Sequence, residues 1–151
     1  MAKAKVPMSR SENMSRVKSR DTKPEILVRR GLHARGFRFR VHRTDLPGRP
    51  DLVLPRWNAV MQIHGCYWHG HDCLGRAPKT NTEYWGPKIT RNRRRDVRNE
   101  AALRHAGWRV LIVWECCLVG KGRWEPTALI AAIEGWLRSK DGHTEFTGGQ
   151  S

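Results

Sequence analysis

The chain has 151 residues, 38% of them hydrophobic, which fits one domain with an ordinary core and short tails and excludes a wholly disordered protein. Lysine and arginine total 29 against 14 acids, a formal charge of +15 with a pI near 10.8, so a polyanionic partner, nucleic acid first, stands ahead of a ribosomal or membrane-surface role. No apolar run approaches a membrane span and the charged N-terminal stretch lacks a signal-peptide core, so the expected place is the cytoplasm, where four cysteines suggest metal ligands before disulfides.

Residues 1 to about 20 are basic and polar, with Met8 and Met14 as the notable apolar side chains. They read as a flexible arm, either wrapping a duplex or simply solvated. Thr22-Lys23-Pro24-Glu25 is a capping-box pattern. It opens a helix running to about residue 34 that buries Ile26, Leu27 and Leu32 and stops at Gly36. Three short extended segments follow: 37 to 42, then 51 to 54 after the turn Leu46-Pro47-Gly48-Arg49-Pro50, then 59 to 64. The third is apolar enough to be a central strand.

Residues 65 to 82 form a loop dense in Cys, His, Gly and aromatics. A helix over 83 to 106 has a strongly basic middle, Arg91 to Arg98, and ends at Gly107. Residues 108 to 114 are a buried strand, 126 to 137 an amphipathic helix, and 140 to 151 a frayed, disordered tail. The predicted order is α-β-β-β-α-β-α: an α/β fold with a central mixed sheet, its domain spanning 21 to 139.

Cys66, His71 and Cys73 form a C-x4-H-x-C cluster that needs one more ligand for tetrahedral zinc. Cys116 and Cys117 follow the last predicted strand, and either can supply it; buried free thiols are the alternative. A closed four-ligand site would be structural and would hold the loop in a fixed shape. Tyr67 and Trp68 lie inside that clamp, either as a wedge between base pairs or as ordinary core aromatics.

Asp51 starts one strand and Gln62-Ile63-His64 ends the next. One carboxylate beside polar groups on a neighbouring strand can build a magnesium site, the metal polarising a phosphodiester. His64 and His69 are the nearest groups able to handle protons near neutral pH. The plain alternative is that Asp51 caps a turn and the histidines are structural.

Three segments in order, Leu46-Pro47-Gly48-Arg49-Pro50-Asp51, His64-Gly65-Cys66-Tyr67-Trp68-His69 and Gly107-Trp108-Arg109-Val110-Leu111-Ile112-Val113-Trp114-Glu115-Cys116, resemble the very-short-patch-repair endonuclease family, Vsr. The match runs from about Arg10 to about Leu137. The resemblance implies a restriction-endonuclease-like core, catalytic Mg2+ and structural Zn2+. It implies a nick 5′ to the T of a T:G mismatch, the lesion left when 5-methylcytosine deaminates.

By the same resemblance Asp51 matches the metal-binding aspartate. The E-x-K of the wider nuclease superfamily is replaced by Gln62-Ile63-His64, so the second magnesium ligand is the main-chain carbonyl of Ile63. His69 resembles the general base, His64 a group acting near the phosphate, and Glu25 an acid near the active site. The zinc ligands carry over to Cys66, His71, Cys73 and Cys116, with Cys117 a spare thiol. Tyr67, Trp68 and Trp85 resemble an intercalating aromatic cluster and Met14 a side chain entering from the minor groove. Lys88, Asn92, Arg95 and Asp96 are expected to meet the DNA backbone or bases. The implied partners are double-stranded DNA, a mismatch-repair matchmaker and a downstream DNA polymerase, for a monomeric protein of bacterial cytoplasm. The rivals are a related nuclease acting on another DNA structure and a zinc-stabilised DNA-binding module without hydrolysis.

Overall fold

The computed structural model describes residues 22–66, 69, 71 and 82–149, with the backbone alone for 82–85. Helix α1 spans Lys23–Ala34 and opens as its sequence dictates: the Thr22 side chain accepts from the Glu25 backbone N–H at 3.4 Å. It ends at Gly36, whose φ of +89° suits glycine. There the N–H groups of Phe37 and Gly36 return to the carbonyls of Leu32 and His33, closing the helix end. The buried face is Glu25, Val28 and Leu32, while Ile26 and Leu27 are only half-buried.

The extended segment expected over 37–42 is not a strand. Only Arg40 pairs, as an isolated antiparallel bridge to Val53, because His42 turns to φ +60° and breaks the extended run. The turn at Leu46–Pro50 then delivers Asp51 to the start of β1, Leu52–Leu54. Asn58, at φ +49°, swings the chain back into β2, Ala59–His64, which pairs antiparallel with β1. Helix α2 covers Thr82–His105, and β3 covers Arg109–Trp114 parallel to β2. Helix α3 covers Pro126–Leu137, its N-terminal amides capped by the Glu125 carboxylate.

The C-terminal stretch expected as a frayed tail contains a strand: His143–Phe146 forms β4, parallel to β3. The sheet order is β1-β2-β3-β4, mixed in direction, and the observed sequence of elements is α-β-β-α-β-α-β.

The sheet separates two apolar layers. One holds Val28, Leu32, Leu111, Val113, Leu129, Ile133 and Trp136 under α1 and α3. The other is smaller and holds Val53, Val60, Leu103, Val110, Ile112 and Trp114 on the α2 side. Among the described residues of α2, Leu103 is the buried apolar anchor, and the middle of the helix exposes Arg91, Arg93, Arg94, Arg95 and Arg98. Arg109 ties the layers at the sheet's far end: its guanidinium donates to the carbonyls of Trp57, Trp136, Leu137 and Ser139 and lies 4.6 Å over the Trp136 ring. Those carbonyls include groups that the end of α3 leaves without helical partners.

Candidate active site

The C-terminal ends of β2 and β3 and one face of α2 surround a cleft of about 1020 Å³, lined among others by Glu25, Asp51, Ile63, His64, His69 and Asp96. Asp51 reaches it because the Pro50–Asp51 step ends the turn just as β1 begins. Its Oδ2 accepts the backbone N–H of Ile63 at 2.6 Å, pinning β1's entry to β2. Burial, and secondarily the nearby Glu25 carboxylate, push the Asp51 pKa up to about 7, although the Ile63 hydrogen bond opposes this. Glu25 is buried and bonded to Arg29 at 2.9 Å, so α1 brings an ion pair to the cleft wall. The Glu25 backbone N–H donates to the Thr22 cap while its carboxylate accepts from Arg29 at the cleft wall.

His64, the last residue of β2, is buried. Its ring stacks on His69 with centroids 3.9 Å apart and planes 3° from parallel. Burial, then the adjacent His69 ring, hold the His64 pKa down at about 4, so the imidazole is neutral at physiological pH. His69 Nδ1 lies 2.5 Å from Asp96 Oδ2. A carboxylate on Nδ1 fixes that nitrogen as the protonated one and leaves Nε2 as the basic nitrogen.

Asp96, expected to meet the DNA backbone or bases, faces His69 at the cleft. The signal available in the sequence was a lone acid inside the run Arg91-Asn92-Arg93-Arg94-Arg95-Asp96-Val97-Arg98. Of the other residues expected to meet DNA, Arg95 is exposed at the cleft and donates to Asn92 Oδ1 at 3.0 Å, and Lys88 is half-buried on the same helix. The Trp85 side chain, Met14, Tyr67 and Trp68 lie outside the described residues.

Beside the cleft, ligand atoms of Cys66, His71 and Cys116 lie within 4.8 Å of one another. His71 Nδ1 is 3.7 Å from Cys116 Sγ. Two thiols and an imidazole are the donor set that zinc favours, and a spread of this size fits ligands around one tetrahedral ion. Cys73 lies outside the described residues. The short 3₁₀ turn Glu115–Cys117 sends its adjacent thiols to opposite layers: Cys116 joins the layer containing Cys66, and Cys117 the layer under α1 and α3. Spacing could not separate the two; the turn does.

Trp114, which sequence reasoning left as a plain core residue, sits between the two clusters. His71 stacks on its ring at 4.2 Å and 11°, while His64 and His69 meet it edge-on at 5.2 and 6.3 Å.

A cleft with the Asp51 carboxylate at its wall, a histidine–aspartate pair and a neighbouring thiol–imidazole cluster suits metal-assisted phosphodiester chemistry, and comparison with known proteins identifies the lineage. The family profile described as DNA mismatch endonuclease Vsr matches residues 4–75. The Type II nicking enzyme V.XorIIP of Xanthomonas oryzae pv. oryzae is 52% identical over 120 residues, 79% of this chain and 88% of the relative. The chain belongs to the Vsr family. A further relative is the Type II nicking enzyme V.NmeAIP of Neisseria meningitidis serogroup A, 47% identical over 74% of this chain and 81% of its own. The DNA mismatch endonuclease Vsr of Escherichia coli K12 is 44% identical over 85% of this chain and 83% of its own. This Vsr-family protein is accordingly a DNA-nicking endonuclease, and its substrate is DNA. None of its described helices is long and apolar enough to cross a membrane.

Proposed function

We propose that this Vsr-family protein is a magnesium-dependent, zinc-stabilised endonuclease with a restriction-endonuclease-like core that nicks DNA 5′ to the T of a T:G mismatch, starting very-short-patch repair. The observation that carries the reading is the convergence of Asp51 with the stacked His64 and the His69–Asp96 pair in one cleft. The Escherichia coli relative is a DNA mismatch endonuclease, which supports the choice of lesion.

The donors fit the metals. Asp51 is a half-buried carboxylate whose charge the cleft leaves poorly compensated, and it would hold magnesium together with the main-chain carbonyl of Ile63. When bound, magnesium polarises the phosphodiester and stabilises the leaving oxygen. Zinc would be held by Cys66, His71, Cys116 and Cys73, and its work is to keep the loop rigid.

The chain's own groups divide the rest. His69, oriented through Nδ1 by Asp96, takes a proton from water at Nε2. His64 is neutral in the resting site and donates a hydrogen bond to a phosphate oxygen; an anion there would raise its proton affinity. Arg95 and Lys88 meet the backbone, and Met14, Tyr67, Trp68 and Trp85 open the step at the mispair. Opening a step costs a few kcal/mol, and less where pairing is already weak, which favours the mismatch.

Two relatives are Type II nicking enzymes, which favours a second reading in which the flanking sequence differs from that of the Escherichia coli protein. One experiment separates the readings. Duplexes differing only by T:G or T:A, each in several methylation-site contexts, are incubated with protein and magnesium. Selective nicking of T:G is expected, and the context that cuts fastest identifies the site. Equal nicking of T:G and T:A rejects the mismatch reading.

A further inference from the structure

β4 meets the tryptophan behind the cleft histidines through a side-chain hydrogen bond. The Trp114 indole N–H donates to Glu145 Oε1 at 2.8 Å, and the ring it fixes is the one that His71 stacks on and that His64 and His69 meet edge-on. Glu145 is held in register opposite Ile112, between the pairs Leu111–Thr144 and Val113–Phe146. Two other contacts fasten the same stretch. His143 Nε2 lies 2.5 Å from Glu100 Oε1, on the helix α2 that also carries Asp96 one turn earlier. Beyond β4 the Gly148 N–H donates to Cys116 Sγ at 3.0 Å. Gly148 is packed so closely that a Cβ there would come within 2.3 Å of the Cys116 carbonyl oxygen.

We propose that Glu145 is a positioning residue for DNA nicking: by holding the Trp114 indole it sets the platform against which His64 and His69 are placed. The inference rests on the reading that these two histidines act at the phosphate. The physical reason is geometric. Trp114 is the last residue of β3, where the sheet's ladder ends, and without an acceptor its N–H would be left unsatisfied in a mostly buried position. The ring would then turn to find a partner, and the edge-on His64 and His69, with centroids at 5.2 and 6.3 Å, would lose the surface they pack against.

The test uses zinc-loaded full-length protein with T:G duplex and magnesium, comparing Glu145→Thr with Glu145→Gln. Threonine suits a strand but is too short to reach the indole; the glutamine oxygen can still accept the N–H. Glu145→Thr is expected to lower kcat about ten-fold, the scale of a sub-ångström misplacement, with KM, DNA affinity and zinc content unchanged. Glu145→Gln is expected to nick near the wild-type rate. In a Trp114→Phe background, which lacks the N–H, Glu145→Thr should cause no further loss. Full-rate nicking by Glu145→Thr, an equal loss in Glu145→Gln, or an undiminished effect in the Trp114→Phe background overturns the proposal. His69→Ala run alongside separates the two readings. If His69→Ala nicks normally the catalytic assignment fails; if it is inert while Glu145→Thr is unimpaired, only the role of Glu145 fails.

Discussion

Replacing Asp51 with asparagine should make the metal-free protein more stable at alkaline pH while abolishing its activity. Asparagine keeps an oxygen for the Ile63 N–H but carries no charge into the cleft. The aspartate titrates near 7 in the folded protein against an ordinary 3.8, mainly because burial disfavours the anion. Between those values the folded state binds more protons than the unfolded state, so the group's contribution to stability falls as pH rises through that window and is constant above about 7. At about 1.4 kcal/mol per pH unit, the upper limit of the loss is about 4 kcal/mol. The assay is urea denaturation at pH 5 and pH 8 without added magnesium, on zinc-loaded protein. The Asp51→Asn advantage should be present at pH 8 and shrink toward pH 5. Magnesium at pH 8 should then stabilise the wild type and leave Asp51→Asn unmoved, because only the carboxylate binds it. An Asp51→Asn protein that is less stable at pH 8, or whose advantage does not change with pH, would refute the electrostatic reasoning.

Three more expectations follow from the same geometry. Asp96→Asn should slow single-turnover nicking by about ten-fold or more, because His69 loses its orienting anion, and His69→Ala should cost about a hundred-fold or more; salt-dependent DNA binding measured in parallel should change little. Cys116→Ser should lose zinc on dialysis against a mild chelator, whereas Cys117→Ser should retain it, as read by metal content per chain. Arg109→Met should lower unfolding free energy by about 2 kcal/mol or more, since several backbone carbonyls lose a charged donor, while the folded protein nicks at the normal rate.

What the sequence made legible were features with a local cause. The capping box at Thr22, the glycine stop at Gly36 and the apolar run at 59–64 act within a few residues, and helices α1 and α3 and strand β2 lie where those signals put them. Strand β4 has no such signal. His143-Thr144-Glu145-Phe146 sits among polar residues and glycines, and its pairing depends on β3, some thirty residues earlier. Asp96 shows the same limit within the site: a lone acid among arginines can be noticed, but its partner His69 lies 27 residues away in sequence. Cys116 and Cys117 are equivalent by spacing alone; the family resemblance picks Cys116, and the turn that ends β3 sends the two thiols to opposite layers. The segment at 37–42 failed for the opposite reason, its strand-like composition being interrupted by the left-handed turn at His42.

His69 and His71 are separated by one residue, the first facing Asp96 and the second facing Cys116. With zinc as the occupant of the thiol cluster, that spacing gives the enzyme a direction of failure. On the proposed reading of the site, loss of the ion would release the imidazole that takes the proton together with the loop that selects where to cut. A DNA-cutting protein could instead have lost its discrimination first and gone on cutting at random. On that same reading, metal starvation or thiol oxidation would leave a silent protein, and the genome would be spared both repair and damage.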